Sequence, residues 1–482
     1  MNSLKNKVVE NYKKENFENA KIVSFDDYEN SELKYYKQSE LTEVDEDWFP
    51  LCCFKDEETG ELIYGGRAKI VHTYVEGETG CGKTTRVAIQ SVNALSNMKN
   101  KPSFVIVDPY GEIYENNYKN LTKKGYSLKV LNCDRPERSD TYNPLGMTAK
   151  NCVEDGEINS ESQAQIRKIA EIVQPVIGTK DPIWDQGARA YYNGILLDSF
   201  EDLIDGYLEP EHITLYNTIQ RHYWIRKALA ASYDRSLFSI PEYKRKTVES
   251  LGIQKMISVT NNAERTRDSY FGVAENHFDN FGQIAMYQLS SSSTIDLEEF
   301  INEPTAIFIQ SGSTSIGDDL VSLLMNDIYN TAVRIGKKSL NKKLPRNIHC
   351  FLDEFANCNF GSGEEFIKML TTSRKFGLFW HMYLQCDAQL DKKYNSAEIG
   401  NIIRANSTEI FMGSQDYRTI DRFAGSCGKK TTESLNSKLY QSEMSLVTVN
   451  LITTDKLMYI PEGYMYIKVN RKPLLYSYFE AF

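Results

Sequence analysis

A glycine-rich stretch is the first part of the sequence where residue types and spacing could do chemistry. Residues 77–84 read Gly-Glu-Thr-Gly-Cys-Gly-Lys-Thr, which fits the pattern Gly-x4-Gly-Lys-[Ser/Thr]. A predicted strand over 70–75 precedes it and a predicted helix over 86–97 follows it. Glycines let backbone N–H groups wrap around a phosphate, and a helix N-terminus favours an anion. The stretch is therefore predicted to bind a nucleotide; the alternative is a chance glycine-rich turn.

Two side chains of this loop receive individual roles. Lys83 is expected to reach the β- and γ-phosphates, and the Thr84 hydroxyl is expected to ligate Mg²⁺. ATP and Mg²⁺ are thus the predicted ligands. The residues assigned to nucleotide binding are Gly77, Glu78, Thr79, Gly80, Cys81, Gly82, Lys83, Thr84 and Thr85.

A pair of acids at the end of a later apolar strand could complete a hydrolytic site. Asp353 and Glu354 directly follow the strand predicted over 348–352. Ligands of open α/β sheets bind outside the carboxyl ends of the strands. Asp353 is predicted to hold the Mg²⁺ shell, and Glu354 is predicted to act as general base on water. The alternative is a strand-end acid pair that faces solvent.

Two further polar residues are candidates for catalysis. Gln385 ends the strand predicted over 379–384, where its amide could contact a γ-phosphate or water. Arg374 ends the helix predicted over 363–374, and its planar, always charged guanidinium suits transition-state phosphoryl oxygens. Arg374 could equally be a helix C-terminal cation that interacts with the helix dipole.

The elements that must position these residues alternate between strand and helix. Continuous apolar runs, typical of buried parallel strands, occur at 104–108, 127–131, 305–309, 348–352, 379–384 and 409–412. Helical patterns at 113–121, 320–335 and 363–374 separate several of them. The fold class predicted is α/β, with a mostly parallel sheet flanked by helices on both faces.

The middle of the chain has a helical pattern of apolar residues. Apolar residues at helical spacing mark segments 160–176, 185–201, 215–231, 243–260 and 263–281, and strand-like runs are scarce there. This predicts an inserted all-α domain.

The predicted domains are an acidic N-terminal arm (1–45), the first part of the nucleotide-binding domain (46–150), the all-α insertion (151–295) and the second part of the nucleotide-binding domain (296–482). A strand pair with a turn at 57–60 is predicted within 48–70.

Composition limits the compartment and the partners. The net charge is −10, but residues 1–60 hold 15 acids and 8 bases, so a local basic surface elsewhere is compatible with nucleic-acid binding. Nine cysteines without CxxC spacing, one of them inside the phosphate loop, indicate reduced thiols and a cytoplasmic protein. No apolar window long enough for a transmembrane segment occurs.

Several spaced blocks together resemble one family. They are Gly77–Thr84, Val107-Asp-Pro-Tyr-Gly-Glu112, Tyr142-Asn-Pro-Leu145, Leu352-Asp-Glu-Phe355, Ser373-Arg-Lys-Phe-Gly377, Gln385 with Ala388-Gln-Leu390, and Ile460-Pro-Glu-Gly463. From about residue 70 to the end, the chain resembles the conjugative coupling proteins of type IV secretion, TraG/TraD type, within the FtsK-like DNA translocases.

The resemblance implies a RecA-like P-loop NTPase with an all-α domain on its rim, which forms a hexameric motor and couples ATP hydrolysis to the export of DNA or of a DNA–protein substrate. It assigns Asp353 and Glu354 to hydrolysis and Gln385 to sensing the nucleotide, and it has Arg374 act on a neighbouring subunit's ATP. It also implies that relaxase or accessory proteins dock on the all-α domain, and that secretion-channel or membrane subunits are partners. Family members usually begin with a membrane anchor, whereas this chain begins with the acidic arm. Attachment to the inner face of the membrane would then depend on a partner, unless the protein is a soluble relative.

Two stretches could contact DNA without reading bases. Six basic residues, with no acidic residue among them, lie between positions 334 and 346: Arg334, Lys337, Lys338, Lys342, Lys343 and Arg346. Such point charges suit backbone phosphates, although a solvated loop would look the same. The aromatic and basic segment 221–227 could stack bases or simply pack a helical domain.

Two other functions remain open at the level of the sequence. A soluble FtsK-like or packaging-type DNA translocase would need DNA alone and no docked cargo protein. A nucleotide-gated scaffold would bind ATP without significant hydrolysis, and it would not need Glu354 or Arg374.

Overall fold

The structure is a computed structural model. It describes residues 20, 22–24, 33–68, 71–154, 156–176, 182–232, 235–312, 315–358, 360–394, 396–438 and 441–482. Most of the predicted acidic arm (1–19, 21 and 25–32) lies outside the described residues, as does residue 70 at the start of a predicted strand.

Seventeen strands and sixteen α-helices occur within these ranges. The strands are β1 (Ile22–Ser24), β2 (Lys34–Lys37), β3 (Trp48–Lys55), β4 (Leu62–Ala68), β5 (His72–Glu76), β6 (Ser103–Val107), β7 (Ser127–Asn132), β8 (Val153–Glu154), β9 (Glu157–Ile158), β10 (Thr305–Gln310), β11 (Ile348–Leu352), β12 (Leu378–Leu384), β13 (Ser407–Phe411), β14 (Lys429–Lys438), β15 (Gln441–Asn450), β16 (Tyr464–Lys468) and β17 (Leu474–Tyr478). The helices are α1 (Ile89–Ser96), α2 (Glu112–Lys123), α3 (Gly146–Asn151), α4 (Ser160–Val173), α5 (Ile183–Ile204), α6 (Leu215–Ala231), α7 (Leu251–Thr260), α8 (Glu264–Phe281), α9 (Ile284–Ser290), α10 (Leu297–Asn302), α11 (Ser315–Lys338), α12 (Gly363–Ser373), α13 (Asp387–Tyr394), α14 (Ala397–Ala405), α15 (Tyr417–Ser426) and α16 (Thr454–Met458).

Ten strands form the central sheet in the order β1-β17-β16-β13-β5-β12-β11-β6-β10-β7. The seven strands from β13 to β7 are all parallel, and β16 is antiparallel to both of its neighbours. The predicted α/β fold with a mostly parallel sheet is therefore confirmed. Because the carboxyl ends of β5, β11 and β12 meet at one edge, the residues that follow them are brought together.

The sheet is covered on both faces because its side chains alternate between two apolar clusters. Val105 and Val107 of β6 point into a large cluster that also contains the helical middle of the chain. Phe104 and Ile106 point into a second cluster with α1, α2 and the small N-terminal sheet. The helical segment thus shares one continuous core with a face of the sheet.

The segment between β7 and β10 is helical, as the apolar spacing indicated. Its described residues form α3 to α10, with only the two-residue strands β8 and β9 among them. Four of the five predicted helices match closely, but the one predicted over 243–260 begins later, at Leu251. The Ser250 side chain accepts from the N–H of Ile253 and caps this helix, a start signal that periodicity alone did not supply.

A separate three-stranded antiparallel sheet has the order β2-β4-β3. The strand pair predicted within 48–70 is present as β3 and β4. β2 comes from the region interpreted as a solvated arm. The side chains of Leu33, Leu41 and Val44 are buried, so residues 33–45 contribute to the core instead of forming an arm.

Candidate nucleotide-binding site

The phosphate loop follows β5 and is anchored to the neighbouring strands. The N–H of Gly77 donates to the carbonyl of Leu384 at 3.2 Å, and the N–H of Glu78 donates to the carbonyl of Gly413 at 3.1 Å. Gly80 and Gly82 have φ values of 81° and 91°, which a side chain would disfavour. The loop then enters a π-helical turn at Lys83–Ala88, and α1 continues from Ile89. The predicted strand–loop–helix context is therefore present.

Lys83 is held at the centre of the loop by the loop's own backbone. Its Nζ donates to the carbonyl oxygens of Gly77 at 2.7 Å and of Glu78 at 2.9 Å. These contacts place an ammonium group where the glycine-rich backbone curves. A phosphate bound in the loop would meet that charge directly.

Thr84 and Asp353, separated by 269 residues in sequence, are in direct contact. The Thr84 hydroxyl donates to Oδ2 of Asp353 at 3.2 Å, because β11 ends beside the start of the helix that follows the loop. A hydroxyl and a carboxylate oxygen are hard ligands that fit Mg²⁺, which is usually bound through one or two protein oxygens plus phosphates and water. Among the described residues, no group of three or more His, Cys, Asp or Glu could hold a metal by itself.

The environment of Asp353 opposes its charge. Burial raises its pKa to about 6, and the carboxylates of Asp108 and Glu354 add to this effect. The Thr84 hydroxyl and the Lys83 ammonium act in the opposite direction. Asp108 directly follows β6 and is itself buried, and its Oδ2 accepts from the N–H of Tyr114 at 2.8 Å. A divalent cation beside Asp353 would relieve this accumulation of negative charge.

Glu354 adopts a backbone conformation that is unusual for a residue with a side chain. Its φ is 60°, and its Oε2 accepts from Nδ2 of Asn357 at 3.0 Å. The following turn is held by Lys393, whose Nζ donates to the carbonyls of Ala356 and Cys358. Burial lowers the pKa of Lys393 to about 8. Left-handed conformations of this kind persist where the surrounding structure fixes them, often at functional sites.

These elements line a cleft of about 310 Å³. Its walls are Thr79, Gly80, Gly82, Lys83, Thr84, Thr85, Tyr110, Glu112, Asp353, Glu354, Tyr383, Leu384, Gln385 and Gln389. The structure thus brings Asp353, Glu354 and Gln385 to the loop. The N–H of Gln385 donates to Oε1 of Gln389 at 2.8 Å, which fixes the backbone at the end of β12.

Five residues of these walls have no role predicted from the sequence, namely Tyr110, Glu112, Tyr383, Leu384 and Gln389. Tyr110 and Glu112 follow β6, so the rule that selected Asp353 from the end of β11 could have selected them too.

Arg374 lies apart from the cleft of its own chain. It is exposed, follows α12 and precedes β12, so it is at the opposite edge of the sheet from Gln385. The seven residues of β12 that separate these two edges span about 23 Å at ~3.3 Å per residue. Arg374 is therefore not among the residues that line the cleft around Lys83.

A buried ionic network lies behind the loop, and it was not predicted from the sequence. Arg422 of α15 binds the carboxylates of Glu76, Asp387 and Glu409, the contact to Asp387 being 2.6 Å. Asp387 also pairs with Arg404 at 2.5 Å. Glu76 directly precedes Gly77, so α15 is tied to the base of the loop. Acids inside buried strands, such as Glu76 and Glu409, were the available signal, because buried charges require partners.

The two candidate DNA-contacting stretches are partly occupied by internal contacts. Arg334 pairs with Glu298 at 2.9 Å and Lys343 pairs with Asp47 at 3.2 Å. In the aromatic segment, Arg221 pairs with the buried Asp198 and Asp202. The structure therefore favours packing for the beginning of segment 221–227.

Comparison with known proteins decides the family. The family model described as Type IV secretory system Conjugative DNA transfer matches residues 24–465. The chain belongs to this conjugative DNA transfer family. No curated protein matches the sequence.

Solved structures of the bacterial conjugative coupling protein TrwB share the fold of this family member. The unbound TrwBdeltaN70 structure is 16% identical, with 85% of this chain and 84% of that chain covered and a TM-score of 0.59. TrwB with the GTP analogue GDPNP is 15% identical, with 85% of each chain covered and a TM-score of 0.59. TrwB with ADP and Mg²⁺ is 16% identical, with the same coverage and TM-score.

Over the part of the chain that the structure describes, no helix combines the length and the apolar character needed to cross a membrane.

Proposed function

We propose that this protein binds ATP with Mg²⁺ in the cleft and hydrolyses it to drive DNA, or DNA with attached protein, into a type IV secretion channel. The observation that carries the proposal is the 3.2 Å contact between Thr84 and Asp353 beside Lys83. It places the phosphate loop and the strand-end acid at one point, as a metal-bound triphosphate requires. Membership of the conjugative DNA transfer family supplies the transported substrate.

Each residue has a separate role in the proposed reaction. The loop N–H groups and Lys83 bind the phosphates, while Thr84 and Asp353 hold Mg²⁺, which would neutralise charge on the transferred phosphoryl group. Glu354 lies beside Asp353 in the same cleft wall and would orient and deprotonate the attacking water. Gln385, at the end of β12, would contact the terminal phosphate and report its loss.

Arg374 supports an assembly in which sites form between subunits. Arg374 is exposed at the edge of the sheet away from the cleft of its own chain, so it would act in trans on the nucleotide of another subunit in a ring, with a homo-hexamer as the proposed form. DNA would be bound through backbone phosphates. Relaxase or accessory proteins would dock on the helical segment, and secretion-channel or membrane subunits would hold the complex at the inner face of the membrane.

The test separates nucleotide binding from hydrolysis. Lys83→Ala should abolish binding of a fluorescent ATP analogue, because the loop loses its central cation. Glu354→Gln should bind the analogue as tightly as wild type, but its ATP turnover should fall by ~10²-fold or more, the usual contribution of a general base.

Turnover is measured with and without single- and double-stranded DNA at fixed salt, since phosphate contacts depend on salt. Wild-type turnover in Glu354→Gln would remove Glu354 from the base role. The absence of any wild-type hydrolysis under all conditions would favour the nucleotide-gated scaffold.

A further inference from the structure

A groove larger than the nucleotide cleft lies between the helical segment and α11, the helix that follows β10. Its volume is about 910 Å³, and it runs between α3 and α4 on one side and α11 on the other. Cavities of roughly 300–1,000 Å³ are typical of ligand sites. The proposed ATPase reaction uses none of the residues in its walls.

Half of the 18 residues in the groove walls carry a side-chain amide or hydroxyl. Asn151, Asn159, Gln165, Asn326 and Asn330 all belong to its walls, together with several serines and threonines. Amide side chains both donate and accept hydrogen bonds, as the peptide backbone does. A wall of this composition suits an extended polypeptide whose N–H and C=O groups need partners.

One of these amides is buried with an unused donor. Asn326 is only 7% exposed, and its Nδ2 has no hydrogen-bond partner among the described residues. A buried donor without a partner is costly, so its position in the groove wall points to a ligand acceptor. The neighbouring polar side chains do have hydrogen-bond partners. Asn330 donates to Gln165, and Asp327 accepts from Tyr142 and Gln165.

The end of the groove at the C-terminus of α11 is basic. Lys337 and Lys338 are exposed there, and among the described residues neither forms an ion pair. By contrast, Lys168 and Arg334, also in the walls, are paired with Glu365 and Glu298. The unpaired positive charge therefore lies at one end, where it would attract an acidic ligand.

The dimensions and composition favour peptide over nucleic acid. The part of α11 from Asn326 to Lys338 that lines the groove is about 18 Å long at ~1.5 Å per residue. An extended peptide of about five residues covers that length at ~3.3 Å per residue. Among the described residues, the groove walls contain no aromatic side chain on which a base could stack.

We propose that this groove binds an extended acidic peptide segment of a protein partner, with its backbone on the amides and its carboxylates near Lys337 and Lys338. The proposal deepens the cargo-docking role proposed above. The same helix links the two sites, because α11 begins after the carboxyl end of β10, at the edge of the parallel sheet where the nucleotide cleft lies. A bound segment would thus contact the element that begins at that edge of the sheet.

The probe is a displayed library of random heptapeptides, selected on the full-length protein without nucleotide. Peptides rich in Asp and Glu should be enriched. The most enriched one, labelled with fluorescein, should bind Lys337→Glu/Lys338→Glu about tenfold more weakly by anisotropy. Lys119→Glu/Lys123→Glu carries the same charge change on the exposed face of α2, outside the groove, and should bind as wild type does.

Asn326→Leu tests the amide separately. It removes the unused donor, so the thermal midpoint should stay unchanged or rise while peptide affinity falls several-fold. A purely structural Asn326 would lower the midpoint and leave affinity intact.

The proposal is overturned if no acidic peptide is enriched, or if both charge variants weaken binding equally. It is also overturned if the binding of a labelled thymidine oligonucleotide, and not the binding of the peptide, depends on Lys337 and Lys338. ATPase activity of all variants is measured in parallel; wild-type turnover with failed peptide selection would refute the groove while leaving the proposed motor function intact.

Discussion

Replacing Asp353 with Asn should stabilise the nucleotide-free protein while disabling its site. Burial raises the pKa of Asp353 from 3.8 to about 6. An acid with a raised pKa binds more protons in the folded state, so the free energy of unfolding falls as the pH rises through this interval. The full difference of about two pKa units costs ~3 kcal/mol above pH 6. Asn at this position carries no charge and avoids that cost.

The stabilisation should therefore depend on pH with a defined sign. From the same two pKa values, Asp353→Asn should gain ~1 kcal/mol at about pH 4.5 and ~3 kcal/mol at about pH 8. Urea unfolding followed by circular dichroism at both pH values measures this difference. Glu57→Gln, which changes an exposed acid in a turn, should show neither gain.

Ligand should reverse the order of stability. With Mg²⁺ and a non-hydrolysable ATP analogue, wild type should become more stable, because its carboxylate then ligates the cation. A variant that is less stable than wild type at about pH 8 without ligand, or a gain that does not change with pH, would refute the account of Asp353 as a charge held for a metal.

Three other substitutions probe the assembly and the framework. Arg374→Ala should keep ATP affinity and lose stimulated turnover, and mixing it with Glu354→Gln subunits should partly restore activity; no recovery at any mixing ratio would contradict action in trans. Arg422→Met removes the cation shared by three buried carboxylates and should destabilise the fold by about 3–5 kcal/mol in urea unfolding, whereas a loss below 1 kcal/mol would show that the network is dispensable. Gly252→Ala should lower the thermal midpoint by several degrees, because its Cβ would lie 2.6 Å from the backbone nitrogen of Asp198; an unchanged midpoint would mean that α5 and α7 can separate at little cost.

The phosphate loop and the strand-end acids could be predicted because their signals are local. Gly80 and Gly82 are needed at left-handed positions, and Asp353 follows a continuous apolar strand, so both were visible in short windows. That they would meet followed from the topology of parallel sheets. The parallel sheet itself was predictable for the same reason, since each buried strand is a continuous apolar run.

Features that depend on distant partners could not be predicted. The burial of Leu33, Leu41 and Val44 arises because β2 pairs with β4, and nothing in the acidic composition of residues 1–45 indicates that pairing. The network around Arg422 joins residues from four separate segments. The position of Arg374 relative to the cleft likewise required the direction of β12 and not only its sequence.

The order of strands in the central sheet has a consequence for synthesis on the ribosome. Within the described residues, β5, β6 and β7 pair only with strands that follow residue 304, and never with each other. The 172 residues between Asn132 and Thr305 take roughly 10–30 s to translate. During that interval the strand that leads into the phosphate loop therefore has no partner strand to pair with. An unfinished chain released early would present three unpaired strands to chaperones and proteases.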